Sequence, residues 1–107
     1  MATSSWQAEE ALIATAGDGK RLALTVKIGT PIRVGPDEWS CPVAVNGLVD
    51  ELRPLRGASS LQAMCLATTL ARRILEDFVA QGGRLTYRGS EADFDIESTF
   101  SGIGGSA

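Results

Sequence analysis

Histidine is absent from the sequence, and only two cysteines, Cys41 and Cys65, occur among its 107 residues. A structural zinc site takes four ligands from Cys, His or acidic side chains, so carboxylates would have to complete any site here, and no metal is expected. A cysteine nucleophile needs a nearby base or a positive helix terminus to hold its thiolate, and without histidine that base would be an unusual one. "WSCP" at 39–42 also lacks the second cysteine of a C-x-x-C redox pair, because position 44 is Ala. No catalytic group and no cofactor is expected. No stretch approaches the ~18 consecutive apolar residues of a membrane span. Residues 1–20 show no positive leader before an apolar run, so no signal peptide is expected. A cytoplasmic, reducing setting follows, in which two free thiols are the natural reading of two cysteines. Cations are also scarce: 10 Lys and Arg stand against 13 Asp and Glu, a net charge of −3. Nucleic-acid affinity rests on clustered Lys and Arg, and the nearest cluster, Arg53, Arg56, Arg72 and Arg73, is interrupted by acids. There are no internal repeats.

What is present suits a soluble globular protein, with 44% apolar and 21% charged residues. The length fits one domain over residues 1–100 with a single buried core. "RLALTVKI" at 21–28 alternates strictly, with Leu22, Leu24, Val26 and Ile28 on one face, which is a half-buried strand. "SSWQAEEALIATA" before it can be read as a helix, but Asp18-Gly19 suits a two-residue type I′ hairpin turn. That turn pairs Thr15 with Leu22, Ile13 with Leu24, Ala11 with Val26 and Glu10 with Lys27, so strand is preferred for 6–16. Ile32 and Val34 continue the second strand past a bend at Gly29 to Pro31, and "GPDE" at 35–38 turns the chain. In "EWSCPVAVNGL", Trp39, Cys41, Val43 and Val45 share one strand face, so Cys41 reads as a core side chain. Asn46-Gly47 signals a hairpin, and "LVDELRPLR" is its return strand. Either a two-residue turn or a longer loop ending near Asp50 keeps Leu52 on the face of Cys41.

The helix is marked at both ends. Ser59 and Gln62 form a capping box, and Gly82 suits the left-handed C-cap. About 22 residues at roughly 1.5 Å each span roughly 33 Å, enough to cross several strands. Ala63, Met64, Ala67, Leu70, Ala71, Ile74, Leu75 and Phe78 fill one half of its circumference, and this breadth expects a whole sheet face as cover. Leu66 falls on the polar side, and Cys65 at the boundary. "GRLTYRG" at 83–89 is a last strand whose insertion point the pattern leaves open. The expected fold is therefore α+β: an antiparallel sheet of about four to five strands in the order β-β-β-β-α-β, with one long helix across one face. Residues 101–107 read as a disordered tail.

The remaining motifs carry little chemistry. The row Glu91, Asp93, Asp95 and Glu97 superficially matches a calcium loop, but Ile96 stands at the obligatory glycine and the late glutamate is missing, so an acidic flexible tail is expected. "GDGKR" at 17–21 fails as a phosphate loop, since Ala14 stands at the upstream glycine and Arg21 at the Ser or Thr.

Trp39, Cys41, Pro42 and Gly47, then Gly57, Ser60, Leu61, Gln62 and Ala63, then Gly83, Leu85, Tyr87 and Gly89 form a further pattern. It resembles a family of short bacterial domains of unknown function with W-x-C-P, G-x-x-S-L-Q-A and G-x-L motifs. Ser59 stands where an acidic residue would precede S-L-Q-A, and it caps a helix equally well. The resemblance implies a bacterial cytoplasmic setting and no mechanism.

Two classes of function follow. The first is a small protein-interaction or accessory module, immunity-like in acting by occupying a partner, which is another protein or a second copy. Its candidate surface is Leu66, Arg72 and Arg73, with the acidic segment as a second candidate. The alternative is a small-molecule-binding protein or enzyme with a pocket between helix and sheet, using Cys41 or Cys65 beside Arg53 or Arg72.

Overall fold

The computed structural model describes residues 6–101. The elements in chain order are β1 (Trp6–Thr15), β2 (Arg21–Gly29), β3 (Ile32–Gly35), β4 (Glu38–Cys41), β5 (Val43–Asn46), β6 (Leu55–Gly57), α1 (Ser60–Ala80), β7 (Arg84–Tyr87) and α2 (Ile96–Ser101). The α+β class is as expected, with antiparallel strand pairs throughout the two sheets and one long helix packed against them. The strands divide into a four-stranded sheet of order β5-β2-β1-β7 and a three-stranded sheet of order β3-β4-β6.

The β1–β2 hairpin corrects the expected register by one residue. Leu12 faces Leu24, Glu9 faces Lys27 and Thr15 faces Arg21. The loop holds three residues, with Gly19 N–H donating to Ala16 O at 2.9 Å and Ala16 N–H to Lys20 O at 2.7 Å. Only Gly19 takes a positive φ (93°); Asp18 does not, so this is a type I turn closed by a left-handed glycine rather than a type I′ turn. The extra residue puts Leu12 and Ala14 on the buried face instead of Ile13 and Ala11.

Both long strands break at one point. Gly29 N–H donates to Pro42 O at 2.8 Å, and a Cβ on Gly29 would lie 2.8 Å to 3.0 Å from the Pro42 ring atoms. Beyond it, β2 gives way to β3 and β4 to β5, so each chain segment changes sheet through a bend. The expected face survives the break, since Cys41, Val43 and Val45 are all buried with Trp39 packed beside them. The return strand is shorter and later than expected: β6 sets Leu55, not Leu52, opposite Cys41. Val45 O accepts from Leu48 and Val49 N–H, and the chain then runs through residues 50–54 before pairing.

Ser59 caps α1 through its side-chain oxygen, which accepts from Gln62 N–H at 3.1 Å. The Gln62 carbonyl returns the contact to Ala58 N–H, one residue earlier than a standard capping box. At the other end Gly82 N–H bonds Val79 O and Gly83 N–H bonds Phe78 O, the paired bonds of a Schellman motif. Ala63, Ala67, Ala71 and Leu75 form the fully buried line of the helix, touching both sheets. The strand whose place was open, β7, joins the edge of the larger sheet beside β1, with Leu85 opposite Ala14.

Residues 92–101 are a correction. In place of a flexible acidic tail, Phe94 is 7% exposed and meets Tyr87 edge-to-face at 5.4 Å. Asp93 bridges to Thr86, Phe94 N–H donates to Leu85 O at 2.9 Å, and α2 follows. One buried aromatic is enough to anchor a segment whose carboxylates remain in water. The expected tail at 101–107 lies outside the described residues apart from Ser101, the last residue of α2. No helix among the described residues is long and apolar enough to cross a membrane.

The corner contact gives a direct prediction. Gly29→Ala forces a methyl group into the Pro42 ring and should cost about 1–3 kcal/mol in urea unfolding, whereas Arg73→Ala on the exposed helix face should stay within about 0.5 kcal/mol. An undiminished Gly29→Ala variant would show that the two segments do not meet as described.

Candidate functional site

An apolar groove arises because β1 is longer than its neighbour. β7 pairs only with Leu12–Thr15, and Arg88 N–H adds one bond to Ala11 O at 3.2 Å. A turn closed by Ser90 N–H to Tyr87 O then carries the chain away. From Trp6 to Glu10, β1 therefore has β2 on one side and no strand on the other among the described residues.

Three elements wall the space beside that edge. Val26 and Ile28 of β2 lie at its base, Met64 and Thr68 of α1 form one side, and Phe94, Thr99 and Phe100 form the other. The small residues Ala63, Ala67 and Ala71 let the helix sit close to the sheet, leaving Met64 half-buried on the flank. Thr68 turns its hydroxyl inward to Met64 O at 2.9 Å, presenting its methyl group. Asp95 starts α2 by accepting Ser98 N–H on its side chain at 3.3 Å, which sets Thr99 and Phe100 over the groove. The groove's volume is about 290 Å³, near the lower end for ligand pockets.

Its charged residues come from one strand. Gln7, Glu9 and Glu10 line the groove, and Glu10 is half-buried on the helix-facing side, opposite Val26. Neither glutamate makes an ion pair among the described residues. Lys27, across the sheet from Glu9, stands 5.3 Å from the centre of the Trp6 ring. The arrangement suits a guest with an apolar body and a positive group.

The thiols lie elsewhere. Cys41 is fully buried, its S–H donating to Gly29 O at 3.3 Å. Burial pushes its pKa up, and the Gly29 hydrogen bond opposes this only in part. Cys65 is exposed on α1. Neither lines the groove. Glu91, Asp93 and Asp95 are exposed, and no group of three or more Cys, Asp or Glu among the described residues is arranged to hold a metal ion.

Of the residues singled out from sequence, Leu66 is 41% exposed and shares one helical line with exposed Arg73, seven residues on. Arg72 is half-buried and ion-paired to Glu76 at 2.9 Å. Arg53 is exposed in the irregular segment before β6. None of the four lines the groove. Sequence reasoning missed Glu10, Phe94 and Phe100 as groove residues, and it placed Met64 on the apolar half of α1, where it packs against the core. The available signal was the phenylalanine set among acids at 91–97, which a flexible tail has no reason to carry.

The thiol environments predict unequal reactivity. At neutral pH a maleimide or iodoacetamide reagent should modify Cys65 rapidly and Cys41 only at the rate of unfolding, while both should react in denaturant. Because the folded pKa of Cys41 is raised, its contribution to stability is complete below the ordinary thiol range. It is lost as pH climbs through the raised value. Rapid modification of Cys41 in the native protein would contradict the burial.

No curated protein and no solved structure matches the chain. A family model does match, over residues 11–97, which span β1 from its middle to the start of α2. The chain thus belongs to the family described as "Domain of unknown function (DUF6968)".

Proposed function

We propose that this protein is a protein-interaction module that receives an extended segment of another protein in the groove beside β1, adding it as a strand at the sheet edge. The observation that carries this reading is the coincidence of an open edge, Trp6–Glu10, with an apolar groove along the same residues. An open edge supplies main-chain hydrogen bonds to any extended chain, and pockets for alternate side chains supply the selectivity. Here Met64, Phe94 and Phe100 would receive apolar side chains, and Glu10, on the helix-facing side, favours a Lys or Arg. Two free thiols, one of them exposed, fit a reducing cytoplasmic setting for such a module.

The outer face of α1, with Leu66 and Arg73, is the second interaction surface, favoured by the exposure of Leu66. A small amphipathic cation is the smaller guest that the same groove would admit.

A selection from random linear peptides, followed by mapping of backbone amide shifts, tests the assignment. The expected binders combine apolar residues with Lys or Arg and shift the amides of Gln7–Glu10, Met64 and Thr68. Thr68→Arg, which fills the groove, should weaken them at least about tenfold, equivalent to about 1.4 kcal/mol, while Leu66→Asp leaves them unchanged. Loss of binding in Leu66→Asp with Thr68→Arg unaffected would move the interface to the outer helix face. Binders that ignore both substitutions would refute the two surfaces together.

A further inference from the structure

A second cleft lies on the opposite face of the larger sheet, at the other end of β1. The hairpin register sets Arg21 opposite Thr15, and β7 sets Arg84 opposite the same Thr15, so Arg21, Thr15 and Arg84 form one row across three strands. Strands lie about 4.8 Å apart, so the two arginines flank Thr15 with their Cα atoms roughly 10 Å from each other. Side chains two apart share a face, which adds Thr86 to the row's side, away from the α1-facing Ala14 and Leu85. Ser90 and Glu91, in the turn after β7, close the cleft at about 210 Å³. At ~30 Å³ for each water, that is room for roughly seven, and so for a small oxyanion with part of its hydration.

We infer that this cleft binds the phosphate group of a small molecule. Its interior is a set of unspent donors. Arg21 is exposed and makes no ion pair among the described residues. Arg84 is held by Asp93, Nε to Oδ1 at 2.8 Å, which orients the guanidinium and leaves its other N–H groups for a ligand. Ser90 Oγ accepts Ala92 N–H at 3.0 Å, so its own O–H remains to donate. Thr86 is the one polar residue in the buried class among the described residues, at 8% exposure. It lines the cleft, which puts a hydroxyl on the side of the sheet that carries both arginines.

Guanidinium forks on two sides and hydroxyls beneath them match an acceptor whose oxygens diverge in three directions, which a tetrahedral phosphate offers and a planar carboxylate does not. Glu91 at the rim disfavours bare charge and favours a ligand that carries a hydroxyl or a cationic group beside its phosphate. The site shares no lining residue with the groove, so it stands independently of the proposed peptide site.

The test is a backbone and arginine Nε shift titration of the full chain at neutral pH and constant ionic strength. The probes are inorganic phosphate and glycerol phosphate, with sodium acetate and sodium chloride as comparators. Saturable shifts are expected at Thr15, Arg21, Arg84, Thr86 and Ser90, with Kd on the order of 1 mM or below. Arg21→Gln should weaken phosphate about tenfold with an unchanged thermal melt, since the side chain is exposed and unpaired. Glu91→Gln should tighten it. Tighter binding of glycerol phosphate supports a carried phosphate, and tighter binding of inorganic phosphate supports a free ion. Shifts that fail to saturate, that chloride or acetate reproduces, or that survive Arg21→Gln undiminished would overturn the site.

Discussion

The contact between Gly29 and Pro42 is the constraint on which the rest of the molecule depends. Two consecutive hairpin arms turn from one sheet into another, and they do so where their backbones touch. Gly29 offers no side chain, its N–H is taken by Pro42 O, and its carbonyl is taken by the Cys41 thiol. Proline at 42 removes a ladder donor, so pairing on that segment stops there and resumes on a different partner. Cys41 is thereby both the last residue of one sheet and the floor of the core. Its modest size and weak S–H donor fit a position where a larger side chain would hold the corner open.

With the corner closed, one apolar surface is presented to one helix. The line Ala63, Ala67, Ala71 and Leu75 lets α1 come close to both sheets, and the same closeness leaves its flank at Met64 and Thr68 overhanging the edge of β1. The groove is thus a by-product of unequal lengths: a ten-residue strand, a four-residue neighbour and a helix that covers more sheet than β7 pairs. The chain then uses Phe94 to return residues 92–101 against the open flank. The same strand ends in Thr15, between two arginines on the other face, so β1 contributes a distinct polar environment at each end.

The helix and its ends were legible because their determinants are local: Ser59 meets Gln62 within one turn, and Gly82 follows the last apolar residues directly. Strand faces were legible wherever only one parity was apolar, as in Leu24, Val26 and Ile28. β1 was different, because Ala11, Leu12, Ile13 and Ala14 are apolar in both parities, and the register then rested on the turn alone. One residue more in that turn, with Asp18 at an ordinary φ, reversed the inward face. The division into two sheets was hinted at by Gly29 and Pro42 separately, but that they touch is a tertiary fact. Both clefts are tertiary in the same sense, since Glu10, Met64 and Phe100, or Arg21, Arg84 and Ser90, become neighbours only through the order β5-β2-β1-β7. The surface chosen from sequence, by contrast, followed helical spacing, and spacing alone does not build a cavity.

Native-state amide hydrogen exchange along β1 tests the central claim most directly, because it reads whether the edge beside the groove is free in the isolated protein. The account predicts that, from Trp6 to Glu10, amides that bond β2 are protected and those that point outward exchange quickly, with the alternation broken at the bulge between Trp6 and Ala8. Protection should become continuous from Leu12 to Thr15, where β7 pairs. Uniform strong protection from Trp6 to Thr15 would mean that the edge is already occupied, and it would contradict the reading of the groove as a docking site.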